Sequence, residues 1–189
     1  MRFFTHFIPT GFCNTYLIGP EGSGDAIIID PGIFDASLLN MIEENNLYLR
    51  YILLSHAHGG HINGISTIRK IYETEIFYFG HSIGDIPTTR VREGEDLRLG
   101  EFTITVLETP GHSGDSVVYK LDRFLFTSDT LLAGKIGYTP DEFSKGLLLS
   151  SINEKILTLD DEHFIFPGHG PPSKVGIERH LNPELLEEV

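Results

Sequence analysis

The chain has 189 residues, 40% of them hydrophobic and 22% charged, the composition of an ordinary soluble globular protein with enough length for one domain over residues 1–189 and a substantial core. A formal net charge of −13 repels polyanions, which argues against nucleic acid or an anionic membrane as partner. No apolar run approaches the roughly 18 to 20 residues of a transmembrane helix, and a single cysteine, Cys13, rules out an intrachain disulfide framework.

In chain order, MRFFTHFIPTGF carries one Arg but neither a continuous apolar stretch nor a small-residue cleavage site, so no signal peptide is expected and a reducing, cytoplasmic setting fits. RFFTHFI and NTYLIG read as strands around a turn at Pro9–Gly11. AIIID, a continuous apolar run closed by Asp30–Pro31–Gly32, predicts a buried central strand. Residues 34 to 46 show helical spacing, with Asp35 as N-cap. YILLS returns to a buried strand, residues 61 to 72 predict a helix, and EIFYF the next strand. After an irregular stretch at residues 80 to 95, three strands are expected in LRLGEFTITVLETP (bending at Gly100), SVVYKLD and RFLFTSD. Residues 144 to 159 predict an amphipathic helix, HFIFPGHG a last strand and loop, and residues 182 to 189 a short helix opened by Asn182–Pro183. Two groups of strands with helices around them predict an α+β sandwich, two sheets packed face to face with helices outside.

Of nine histidines, five fall at strand ends among glycines: His56, His58 and His61 in SHAHGGH, His112 in TPGHSGD and His169 in PGHGPP. Metal sites need three or four donors converging on one point, and imidazole nitrogen is a common one. His56 and His58 alternate on an extended segment and so project to one side, and the Gly59–Gly60 turn lets the backbone bend toward His61. His6, His81, His163 and His180 lie in plain surroundings and read as structural. Asp129 closes an apolar strand, where it can either cap a turn or bridge two cations through its two oxygens.

The ordered set DPG, SHAHGGH, TPGHS, SDT and PGHG resembles the metallo-β-lactamase superfamily, in particular its glyoxalase II-like branch, over residues 13 to 180. The resemblance implies a four-layer αβ/βα sandwich. It implies a first metal site at His56, His58, His112 and Asp129, and a second at His61, His169 and Asp129 plus a carboxylate at position 60. Asp30 would steady the metal loop from behind. The cofactor implied is zinc, one ion or two, with iron or manganese as alternatives. The activity implied is hydrolysis of a thioester, a small-molecule substrate, by a metal-bound hydroxide.

The departure from the family is Gly60, which stands where the HxHxDH pattern has Asp. It leaves the residue set of the second site short of one anionic ligand. Three readings stay open: a one-metal enzyme, a two-metal enzyme with a weakened second site where water or another carboxylate such as Asp115 fills the gap, and a catalytically impaired metal-binding domain. A mononuclear iron oxidoreductase resembling the persulfide dioxygenases, built on His56, His112 and Asp129, is the alternative to the hydrolase. About 20 residues follow His169, so the helical extension of full-length glyoxalase II enzymes is not expected. Lys135, Tyr138 and Lys145 are candidate contacts for an anionic substrate, and Cys13 reads as a small buried hydrophobe.

Overall fold

The structure, a computed structural model, describes residues 1–8 and 13–186. The turn expected at Pro9–Gly11 lies outside the described residues. The chain divides into two compact units, Met1–Val91 with Arg98–Phe102, and Arg92–Leu97 with Thr103–Val189.

The first unit is built on a mixed sheet in the order β1-β2-β3-β4-β5-β8. Its strands are β1 (Arg2–Ile8), β2 (Cys13–Gly19), β3 (Gly24–Ile29), β4 (Leu47–Leu53), β5 (Glu75–Tyr78) and β8 (Thr89–Arg90). The apolar run AIIID becomes the interior strand β3, antiparallel to β2 and parallel to β4. The crossover between β3 and β4 is helix α1 (Ala36–Glu44), which buries Leu38 and Ile42 against Ala26, Ile28, Leu49 and Ile52. Each such aliphatic side chain taken out of water contributes about 1.5–3 kcal/mol. Asp35 caps α1 as expected: its Oδ1 accepts from the Leu38 N–H at 2.9 Å and lies 3.1 Å from His6 Nε2. Asp35→Ala is expected to lower stability by about 1 kcal/mol, read as a fall in the urea midpoint, with Asp35→Ser retaining most of it.

The helix expected over 61 to 72 is broken into α2 (Gly59–Ile62) and α3 (Ile65–Ile68). The cause is Gly64, whose N–H donates to Pro31 O at 2.8 Å and on which a Cβ would stand 2.6 Å from that same oxygen. The chain turns there to rest on the Asp30–Pro31–Gly32 loop. The stretch expected to be irregular holds the small hairpin β6 (Ser82–Ile83) and β7 (Ile86–Pro87), which turns at Gly84 with φ +56°, before β8 joins the sheet edge.

The second sheet runs β16-β15-β12-β11-β10-β9. Its strands are β9 (Asp96–Leu99), β10 (Phe102–Glu108), β11 (Val117–Leu121), β12 (Phe124–Ser128), β15 (Phe164–Pro167) and β16 (Ser173–Lys174). Gly100, at φ +61°, makes the expected bend between β9 and β10. A separate hairpin, β13 (Leu131–Leu132) with β14 (Lys135–Ile136), follows β12. Helix α4 (Glu142–Ser151) starts two residues before the expected point, capped by Asp141, and passes into a π turn at Ile152–Ile156. It packs Leu148, Leu149 and Ile152 with Val118, Leu125 and Ile165 in this unit's core. Helix α5 (Val175–Leu181) has no counterpart in the sequence reading. Helix α6 (Pro183–Leu186) begins where Asn182–Pro183 placed it, and the rest of the expected helix, residues 187–189, lies outside the described residues. Among the described residues no helix is long and apolar enough to cross a membrane.

Candidate metal centre

In the first unit the site starts from the pairing of β3 with β4. Ile29 lies opposite Leu53, and Asp30 N donates to Leu53 O at 3.0 Å, so both chains leave the sheet side by side. Asp30 sits at φ +50°, a backbone an aspartate adopts more readily than most side chains. Its carboxylate is buried and accepts from Ser55 N at 2.8 Å and Ser55 Oγ at 2.7 Å. It lies 3.2 Å from His61 Nδ1, and Ser55 Oγ lies 3.0 Å from His56 Nδ1. A carboxylate only accepts here, so His61 donates from Nδ1; the Ser55 proton already goes to Asp30, so Ser55 Oγ accepts from His56 Nδ1. Both rings are thereby fixed in the tautomer with a lone pair at Nε2, the form that binds a metal. Burial raises the Asp30 pKa, but the hydrogen bond from His61, helped by the one from Ser55, reverses this and holds the carboxyl below the ordinary aspartate value.

The His56 and His61 rings are 1% exposed and 4.3 Å apart between centroids, and the exposed His58 ring stands 4.5 Å from His56. Three imidazoles thus gather at one strand end, as the sequence spacing requires. Cys13 is fully buried, in keeping with a small hydrophobe, yet its Sγ lies 3.6 Å from His61 Nδ1, a neighbour 48 residues away. Gly60 is exposed, and a Cβ placed on it would meet no heavy atom within 4 Å.

In the second unit the parallel neighbours β12 and β15 put Asp129 and His169 together. Ser128 lies opposite Pro167, and Gly168 N donates to Ser128 O at 2.9 Å. His112 arrives on the loop between β10 and β11. Its Nε2 is 3.5 Å from Asp129 Oδ2, while His169 Nε2 is 3.4 Å from Asp129 Oδ1. One carboxylate therefore turns each oxygen to a different imidazole. His112 Nδ1 donates to Tyr138 O at 2.8 Å, again leaving at Nε2 the lone pair that a metal would take. Asp115 lies half-buried in the loop after His112.

Sequence reasoning missed three groups. Ser55 links Asp30 to His56. Tyr138 works through a backbone oxygen, to which its side-chain type gives no clue. Gly137 is required by space: a Cβ there would stand 1.7 Å from Asp129 O and 3.5 Å from the His112 Cβ. The one available signal was a second glycine closing AGKIG, three residues after the Ala133–Gly134 turn.

A pocket of about 180 Å³ is lined by His112, Asp129, His169, Leu132, Lys135, Ile136, Gly137 and Tyr138. Lys135 and Tyr138 thus border the candidate ligands His112, Asp129 and His169, while Lys145 lines a neighbouring pocket of about 320 Å³ that shares Ile136, Gly137 and Tyr138. A larger cleft, about 380 Å³, is lined by Arg50, Arg69, Tyr72, Glu73, Thr74 and Glu75 and holds none of this chemistry. The donor set suits a borderline dication: neutral imidazoles held in their metal-binding tautomer and a carboxylate shared between two of them.

The chain matches the metallo-β-lactamase superfamily model over residues 8–169. The mouse mitochondrial persulfide dioxygenase ETHE1 is 32% identical over 95% of this chain and 74% of its own length. The hydroxyacylglutathione hydrolase GloC of Haemophilus influenzae is 31% identical over 85% of this chain and 87% of its own. The crystal structure of ETHE1 from Myxococcus xanthus superposes with a TM-score of 0.89 at 29% identity, covering 99% of this chain and 89% of that one. The α+β fold of two mixed sheets with helices is the metallo-β-lactamase fold. Metal dependence is the rule among enzymes of this kind, and the family match over residues 8–169, together with relatives 31–32% identical along most of the chain, shows that the chain belongs to the metallo-β-lactamase superfamily.

Proposed function

We propose that the chain is a metal-dependent hydrolase of thioesters, in which both units act as one domain. His56, His58, His112 and Asp129 hold one zinc ion, and His61, His169 and Asp129 make a second, weaker site. The observation that carries the reading is Asp129, with one oxygen 3.5 Å from His112 Nε2 and the other 3.4 Å from His169 Nε2. A carboxylate so placed could serve an ion on either side, whereas a mononuclear iron site would need only one of its oxygens. A bound dication supplies Lewis acidity, polarising a carbonyl and acidifying water. The chain's own residues do the rest. Asp30 and Ser55 aim His56 and His61, and the Tyr138 carbonyl aims His112. Leu132 and Ile136 keep water from one wall of the pocket, and the Lys135 ammonium offers a counter-charge to an anionic thiol carrier. The likeness to GloC supports a glutathione-type thioester as substrate. A lone cysteine and a net charge of −13 suit a cytoplasmic enzyme.

A second reading, a one-iron persulfide dioxygenase on His56, His112 and Asp129, is favoured by Gly60 and by the likeness to ETHE1 over 95% of the chain. Metal analysis of protein purified without added metal separates the two. Between one and two zinc per chain, with hydrolysis of an acylglutathione followed by thioester absorbance, is the expected result. One iron per chain, with oxygen uptake on glutathione persulfide and no thioester hydrolysis, overturns it.

A further inference from the structure

The hairpin β13–β14 belongs to neither six-stranded sheet, yet three of its residues line the pocket beside the ligand residues. Two carboxylates from the C-terminal helices hold it by its backbone. Gly134 N, at the hairpin tip, donates to Glu178 Oε2 at 2.9 Å, and Ile136 N donates to Glu184 Oε2 at 2.6 Å. Glu178 is 1% exposed, which a carboxylate tolerates only when its oxygens are filled. They are: Asn182 Nδ2 donates to it at 2.8 Å, and Ser173 Oγ donates to its other oxygen. Every one of these donors is neutral, and among the described residues no Lys or Arg pairs with it. An apolar side chain would cost less in such a place, so the carboxylate is explained by what it holds. Asn182 ties the two grips together, since its Oδ1 accepts from Glu184 N at 3.1 Å.

The held segment runs directly into the ligand shell. Gly137, next after Ile136, is backed against Asp129 O, and the Tyr138 carbonyl fixes the His112 imidazole. We infer that Glu178 and Glu184 are positioning residues: by fastening the amides of Gly134 and Ile136 they set the hairpin that orients His112 and Asp129. The inference rests on the metal-hydrolase reading, but the fastening and its transmission to His112 can be judged in the metal-free protein. It also gives the short C-terminal helices a task at the site that the sequence did not suggest.

The test compares Glu178→Leu and Glu184→Leu with Glu178→Gln and Glu184→Gln. Glutamine still accepts from the hairpin amides, and its amide group can donate to Ser173 Oγ; leucine can do neither. In metal-free protein, NMR should show amide exchange at Gly134 in Glu178→Leu, and at Ile136 in Glu184→Leu, at least tenfold faster than wild type. The His112 Nδ1–H signal should weaken or shift in the leucine variants and stay in the glutamine ones. Zinc affinity, read by chelator competition, should fall roughly 10- to 100-fold in the leucine variants and be rescued in the glutamine variants. Glu184 is exposed, so its variants report even if Glu178→Leu fails to fold. Leucine variants with wild-type exchange, an unchanged His112 signal or unchanged zinc affinity overturn the inference. A wild type that binds zinc and hydrolyses no thioester would instead sink the substrate assignment and leave these arms intact.

Discussion

Gly137→Ala is expected to lower thioesterase kcat/KM by on the order of 10²-fold, with loss of bound metal, while leaving a folded protein. The added Cβ would stand 1.7 Å from Asp129 O and 2.9 Å from the Asp129 carbonyl carbon. Neither is the movable end of a side chain, so backbone must shift. On one side the shift displaces Asp129, whose two oxygens face His112 and His169. On the other it carries away the Tyr138 carbonyl that holds His112. A displacement of about 1 Å among reacting groups is enough to cost about 10²-fold. Gly146→Ala on α4, where a Cβ meets nothing within 4 Å, is the matched control and should keep wild-type metal and turnover. Steady-state kinetics and metal content on both variants check the result, and a Gly137→Ala enzyme with wild-type kcat/KM would refute the argument.

What could be read in advance follows a physical line. The grouping of His56, His58 and His61, and of Asp129 with His169, was legible because strand ends give those residues a fixed spacing. The buried strands β3 and β4 were legible because an apolar run with no polar face has nowhere else to go. Contacts made by backbone atoms were not, since a carbonyl such as that of Tyr138 belongs to every residue, and it meets His112 across 26 positions. Helix α5 was hidden for a different reason. It buries Glu178 and leaves Ile177 and Leu181 at 48% and 70% exposure, so its hydrophobic spacing points away from the face that packs. The break at Gly64 was equally silent: nothing within residues 61 to 72 tells that Pro31 O occupies the space of a Cβ at that position.

Gly60→Asp is expected to raise zinc occupancy toward two per chain and to raise turnover at limiting zinc by roughly tenfold or more, the scale on which even the partners of metal ligands alter affinity. The substitution is unusually clean. Position 60 lies in the first turn of α2, it is exposed, and a Cβ there meets no heavy atom within 4 Å. A new carboxylate therefore arrives without displacing His61, whose ring stays anchored through Nδ1 to Asp30. Any change in metal content then reports the added ligand and not a rearranged loop. Occupancy and rate rising together would mean that the second ion works and that glycine holds it back. Occupancy rising alone would mean that one ion suffices for the chemistry. Unchanged occupancy over a zinc titration would sink the proposed second site at His61, His169 and Asp129, which is expected to gain an oxygen donor from position 60.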